Sequence, residues 1–135
     1  MILVDSSVWI DYFTGKNTPA AARLDSLLGE ELVAIGDLML TEVLQGFRSD
    51  SEYRQARELL LSLTVLNVLD TAIALKSAAN FRALKRKGIT VRKTIDAIIA
   101  TFSIENGLAL LHSDKDFQPF HEHLGLKSAL ERNPE

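Results

Sequence analysis

Ile95-Asp96-Ala97-Ile98-Ile99-Ala100-Thr101-Phe102 is the stretch around which the chain is organised. Ile95, Ile98, Ile99 and Phe102 recur at helical spacing and predict one apolar helix face. Asp96 falls in the first turn, after Thr94 as the predicted N-cap. The partial positive charge of a helix N-terminus favours an ionised carboxylate there. A carboxylate so close to the core side of a buried helix calls for a cation or a proton beside it. Three other stretches carry acids of their own, at Asp5, at Glu42, and at Asp114 with Asp116.

Outward from this helix, the pattern alternates strands and helices. Ile2-Leu3-Val4 is a short apolar run that predicts a buried central strand ending at Asp5. Ser6 or Ser7 can cap a helix to about Thr14, with Gly15 as its stop. Thr18-Pro19 opens a second helix that Gly29 closes. Residues 32–35 read as a second strand, and Gly36-Asp37 turns into a helix from Leu38 to about Phe47. Ser49-Asp50-Ser51-Glu52 reads as a capping box for a fourth helix. Residues 64–69 read as a third strand, and Asp70-Thr71 caps a long helix ending near Lys87-Gly88. After the central helix, residues 108–111 read as a fourth strand. A short helix is expected within 117–124 and a short edge strand within 126–130. This alternation implies right-handed crossovers and a mainly parallel sheet with helices on both faces, a three-layer α/β/α fold. Residues 1–130 read as a single domain and 131–135 as a frayed tail.

Composition narrows the chemistry. A chain of 135 residues with 47% hydrophobic and 24% charged residues suits one compact core. The net charge of -3 excludes a polycation, so any nucleic acid must be held by a local basic patch or through metal ions. There is no cysteine, which excludes disulfides and thiolate metal sites. Met1-Ile2-Leu3-Val4-Asp5 lacks the basic start of a signal peptide, and no apolar run reaches membrane-spanning length. No membrane partner and a cytoplasmic location are expected.

In open α/β sheets, sites form beyond the carboxyl ends of the strands, where strand order reverses. Asp5 follows the first strand and Asp114 the fourth. Asp96 begins the helix leading into the fourth strand, and Glu42 lies on the helix after the second. Taken singly, any of these acids can be a helix cap or a solvated charge. Taken together, they would repel one another unless protonated or bridged by a divalent cation. Mg²⁺ and Mn²⁺ take oxygen ligands, and three histidines without zinc spacing offer no competing set. Such an ion activates water for in-line attack on phosphorus.

Four motifs then resemble a known family. They are Val4-Asp5-Ser6-Ser7-Val8-Trp9-Ile10, Thr41-Glu42-Val43-Leu44-Gln45-Gly46, Arg92-Lys93-Thr94-Ile95-Asp96-Ala97-Ile98-Ile99-Ala100 and Leu111-His112-Ser113-Asp114-Lys115-Asp116-Phe117. In this order they resemble the PIN-domain ribonucleases, and more narrowly the VapC-type toxins of toxin–antitoxin pairs. The resemblance implies a five-stranded parallel sheet, a homodimer, Mg²⁺- or Mn²⁺-dependent endonucleolytic RNA cleavage, and a small cognate antitoxin. By position it implies Asp5 and Asp96 as principal metal ligands, Glu42 and Asp114 as the other members of a catalytic quartet that holds the metal, and Asp116 as a further acid.

Ser7 and Thr94 could orient a carboxylate or a bound water, as could Thr41. Arg92 and Lys93, directly before Asp96, are candidates for RNA phosphates, whereas Lys85 to Lys87 read better as a helix C-terminus. His112 beside the acids reads more as a packing residue than as a general base, and His121 and His123 carry no signal. Two other functions compete. A phosphotransfer enzyme with an aspartyl nucleophile at Asp5 would want a second acid two residues on, where this chain has Ser7. The other is a non-catalytic module that binds RNA or protein; a nucleotide-binding version of it would want a glycine-rich loop after the first strand, and none is present.

Overall fold

The computed structural model describes residues 1–30 and 32–130; the expected tail at 131–135 lies outside them. Five strands form one sheet: β1 (Ile2–Val4), β2 (Val33–Gly36), β3 (Thr64–Leu66), β4 (Ala109–Leu111) and β5 (Lys127–Ser128). Their order is β3-β2-β1-β4-β5, and every adjacent pair is parallel. Seven α-helices cover the two faces among the described residues: α1 (Ser6–Thr14), α2 (Pro19–Glu30), α3 (Asp37–Leu44), α4 (Asp50–Leu61), α5 (Thr71–Arg86), α6 (Thr94–Glu105) and α7 (Gln118–Leu124). The fold is the expected three-layer α/β/α arrangement. Helix α1 packs on α2 and α3, and α5 packs on α6 and α7.

The chain winds outward from β1 to β3, then returns to lay β4 on the other side of β1. Strand order therefore reverses between β1 and β4, and a crevice opens beyond their carboxyl ends. The Asp5 amide donates to Leu111 O at 2.9 Å, which extends the pairing of β1 with β4 to the crevice floor. Leu3, Val4, Ala34, Ile35, Leu110 and Leu111 are wholly buried, as continuous apolar strands in a two-sided sheet must be.

Local chemistry explains most helix ends. Ser49 accepts from the Glu52 amide at 3.3 Å, and Asp70 accepts from the Ile73 amide at 2.8 Å, so both expected N-caps are in place. Gly15 closes α1 with φ 74°, a left-handed conformation natural to glycine. Gly36 is required for space, since a Cβ there would stand 2.5 Å from Val68 Cγ2.

Several expected boundaries move. Thr94 is the first helical residue of α6, and the capping position is Lys93, which makes no side-chain cap bond. β3 stops at Leu66 instead of continuing to residue 69. The Val68 amide leaves the ladder and donates to Asp37 Oδ1 at 3.1 Å, the oxygen that also accepts from the Leu38 amide. Helix α3 ends at Leu44, three residues short of Phe47, and β5 is only Lys127–Ser128.

The apolar face of α6 is broader than its isoleucine spacing predicts. Ile95 and Ile98 are half-buried, whereas Asp96, Ala97, Ile99, Ala100, Thr101, Phe102 and Ser103 are buried. Two polar residues of this set are satisfied internally. Asn80 Nδ2 donates to Thr101 Oγ1 at 2.9 Å, and Ser103 Oγ donates to Ile99 O at 2.9 Å. A helix enclosed in this way fixes the carboxylate of its first turn in the crevice wall.

Candidate active site

Four elements bring acids to the crevice. Asp5 leaves β1 and caps α1; its Oδ2 accepts from Ser7 Oγ at 2.6 Å and from the Ser7 amide at 3.4 Å. Ser7 thus serves as a helix residue and an orienter of the Asp5 carboxylate at once. Glu42 lies on α3 and its Oε1 accepts from Ser6 Oγ at 3.3 Å. Asp96 lies in the first turn of α6. Asp114 follows β4 and caps a 3₁₀ turn (Lys115–Phe117), with its Oδ1 accepting from the Asp116 amide at 2.9 Å.

The tightest group is Asp96, Asp114 and Asp116, each offering an oxygen within 4.8 Å of the others. Asp5 adjoins this triplet through charge: it adds to burial in raising the pKa of Asp96, and it does the same to Glu42, which is joined to the group through Asp5 and Lys93. Asp116 is thereby nearer Asp96 than its place at the end of a chain motif suggested. Lys93, at the capping position of α6, reaches in with Nζ 3.6 Å from Asp114 Oδ2, and its pKa is raised by Asp96 and Asp114. Arg92 is exposed in the turn before α6.

Two expected helpers lie elsewhere. Thr94 is exposed and lines a separate apolar cavity of about 430 Å³ with Ala74, Phe81, Ala97 and Ile98. Thr41 Oγ1 donates to Asp37 O at 3.1 Å, which ties it to its own helix. His112 is a packing residue, its ring centroid 4.6 Å from that of the buried Phe117. His121, which carried no signal, lies with Nε2 2.8 Å from His112 Nε2. Their pairing requires the turn between β4 and α7, and nothing in a spacing of nine residues announces it.

Burial and mutual repulsion raise the pKa values of Asp96, Asp5 and Glu42 in the crevice. Burial, reinforced by the charge of Asp5, pushes the Asp96 carboxyl up to about 6. Asp96 Oδ2 is buried and has no hydrogen-bond partner among the described residues. Burial also raises Asp5, against the hydrogen bonds from Ser7 and Ser6, and raises Glu42, with Asp5 adding to it. Burial and His121 hold His112 down at about 4.

These shifts predict a specific pH dependence. An ordinary aspartate at 3.8 releases its proton on unfolding before native Asp96 does, at about 6. Native protein therefore binds more protons than the unfolded chain across that window, and its stability falls as pH rises through it. His112 works in the opposite sense: its ordinary value is 6.5 and its native value about 4, so stability falls as pH drops through that window. The two slopes offset each other in the wild type. Asp96→Asn removes one of them, so its melting temperature relative to the wild type should rise with pH and level off above about 6. After allowance for solvent screening, the gain at neutral pH is about 1 kcal/mol. Calorimetric melts of both proteins in chelator check this, and a pH-independent difference would refute it.

The comparisons with known proteins agree with this fold. The PIN domain family matches residues 2–121. Ribonuclease VapC11 of Mycobacterium tuberculosis (strain ATCC 25618 / H37Rv) is 36% identical over 132 residues, 96% of this chain and 98% of its own. The crystal structure of VapBC2 from Rickettsia felis bound to a promoter DNA fragment holds a similar chain. Its TM-score is 0.72 at 16% identity, with 95% of this chain and 97% of that chain covered. A toxin–antitoxin complex from Klebsiella pneumoniae gives a TM-score of 0.71 at 22% identity, with 96% and 98% covered. At those identities the two structures speak to the fold alone. The crevice acids and the five-stranded parallel sheet thus occur in a chain whose sequence matches, over nearly its full length, a family already defined: it belongs to the PIN-domain proteins and, within them, to the VapC ribonucleases.

Proposed function

We propose that the protein is a divalent-metal-dependent endoribonuclease acting as the toxin of a toxin–antitoxin pair. The observation that carries this is the orphaned, buried Asp96 Oδ2 in a cluster with Asp114 and Asp116. The donors there are all hard oxygens, and a buried carboxylate oxygen without a partner is what a Mg²⁺ or Mn²⁺ site supplies. Asp96, Asp114, Asp116 and Asp5 would hold the ion. When bound, it would lower the pKa of a water and neutralise charge developing on phosphoryl oxygens.

The remaining roles belong to the chain. Ser7 holds the Asp5 carboxylate toward the crevice, and Ser6 holds Glu42 by its Oε1. Burial, with the charge of Asp5 adding to it, raises the pKa of Glu42, a shift in the direction that favours proton transfer. Lys93 and Arg92 would receive RNA phosphates at the crevice rim, where a cation is needed to offset the surrounding acids.

Incubation of the purified protein with structured RNA tests this reading. Cutting should require Mg²⁺ or Mn²⁺, stop with chelator, and be lost in Asp5→Asn; undiminished cutting in chelator would sink it. Lys93→Met should weaken RNA binding and reduce the slope of log affinity against log salt by about 1. An unchanged slope would remove Lys93 from the phosphate contacts.

A cognate antitoxin suits the apolar groove of about 510 Å³ lined by Ile10, Phe13, Val43 and Phe47, with Arg48 and Glu52 among its polar residues. A second copy of the chain suits the α5–α6 side, where Leu75 on α5 is 70% exposed. Among the described residues no helix is long and apolar enough to cross a membrane. An RNA substrate favours work in the cytoplasm, with residues 1–130 as the single PIN unit.

A further inference from the structure

His112 and His121 form a chain of hydrogen bonds whose direction is fixed at both ends. The Asp114 amide can only donate, and it lies 3.1 Å from His112 Nδ1, so that nitrogen is bare. Leu126 O can only accept, and it lies 2.8 Å from His121 Nδ1, so that nitrogen carries a proton. Between the rings, the two Nε2 atoms are 2.8 Å apart and need one proton between them. Two neutral imidazoles meet all three conditions: His112 donates through Nε2–H to the bare Nε2 of His121. The ring centroids are 5.1 Å apart with planes 24° from parallel, an edge-to-edge arrangement in line with that bond. All four ring nitrogens are used, and none is left for chemistry.

The chain runs from the loop that carries Asp114 to the segment that leads into β5. On one side Leu126 is buried and its amide donates to Phe120 O at 3.1 Å, which anchors the far end to α7. On the other side the Asp114 carboxylate is committed at Oδ1 to the Asp116 amide, while Oδ2 points toward Lys93. The backbone of Asp114 is thus held from behind by imidazole and its carboxylate from the front by the 3₁₀ turn.

We infer that His112 and His121 are positioning residues, a neutral imidazole pair that pins the Asp114 backbone so that its carboxylate stays beside Asp96 and Asp116. This rests on the metal reading above for its consequence, though not for its geometry. The pair acts through Asp114 and touches neither ion nor RNA.

Nitrogen-detected NMR of the histidine rings in the metal-free wild type at neutral pH tests the geometry. The expected result is a proton on Nε2 of His112 and on Nδ1 of His121; the opposite tautomer at either ring overturns the inference. Titration with Mn²⁺ alone tests the consequence. His112→Phe and His121→Phe should each weaken Mn²⁺ binding by about 10-fold or more, the usual effect of losing the partner that orients a ligand. His112→Asn keeps an acceptor near the position of Nδ1 and should recover most of that affinity. His121→Gln keeps an acceptor for His112 Nε2–H and should do likewise. Wild-type affinity in folded His112→Phe or His121→Phe would overturn the positioning role with the metal reading intact. Failure of the wild type to bind Mn²⁺ would remove the metal reading and the role together, whatever the tautomers.

Discussion

Asp96→Asn should lower RNA cleavage by about 10³-fold while the protein stays folded and melts higher than the wild type at neutral pH. The loss follows from charge. A carboxylate that neutralises and orients a catalytic ion contributes several kcal/mol of transition-state stabilisation, and each ~1.4 kcal/mol is a factor of ten. Asparagine keeps the shape and removes the charge. The gain in stability has the same origin. Asp96 is buried, its Oδ2 has no hydrogen-bond partner among the described residues, and its carboxyl is pushed up to about 6. An amide nitrogen in its place would face Asp5, Asp114 and Asp116 as a donor and relieve their repulsion. Cleavage assays with Mn²⁺ and thermal melts in chelator measure the two halves. Lost activity together with a lower melting temperature would make Asp96 structural and refute the assignment.

Phe117→Ala should cost about 3–5 kcal/mol of folding stability, the usual range for deleting a buried aromatic ring. Phe117 is wholly buried directly after Asp116, in the 3₁₀ turn that carries the acids. Its ring packs on His112, and the turn packs on α6. Few positions join the core to the site so directly. Urea denaturation should give a lower midpoint with an unchanged slope. A loss under ~1 kcal/mol would mean that the cavity collapses without cost, contrary to the close packing seen here.

What could be read in the chain depended on how local its cause was. β1 and β2 are continuous apolar runs, and the caps at Ser49 and Asp70 and the stop at Gly15 depend on neighbours a few residues away. Those were legible, and with them the alternation that dictates a parallel sheet. β3 was misjudged because the side chain of Asp37, 31 positions upstream, captures the Val68 amide. The capping position of α6 moved by one residue, from Thr94 to Lys93, a shift that helix ends tolerate.

The candidate site divides in the same way. Asp5 and Asp114 could be placed near each other once β1 and β4 were taken as neighbours. The close approach of Asp116 to Asp96 could not, because it depends on a 3₁₀ turn of three residues. The burial of Thr101 and Ser103 was hidden by their polarity. Only the bond from Asn80 and the bond back to Ile99 O make those positions core. The histidine pair was invisible for a related reason: its hydrogen bonds define it, and its sequence contains no periodic signal.

The location of a bound ion bears most directly on the claim that these acids converge to hold one. Crystals grown with millimolar Mn²⁺ should give an anomalous peak about 2 Å from a carboxylate oxygen of Asp96. Asp114 or Asp116 should supply a second ligand, and Asp5 should stand in the same shell or one water away. A folded protein with no such peak, or a peak remote from Asp96, would contradict it.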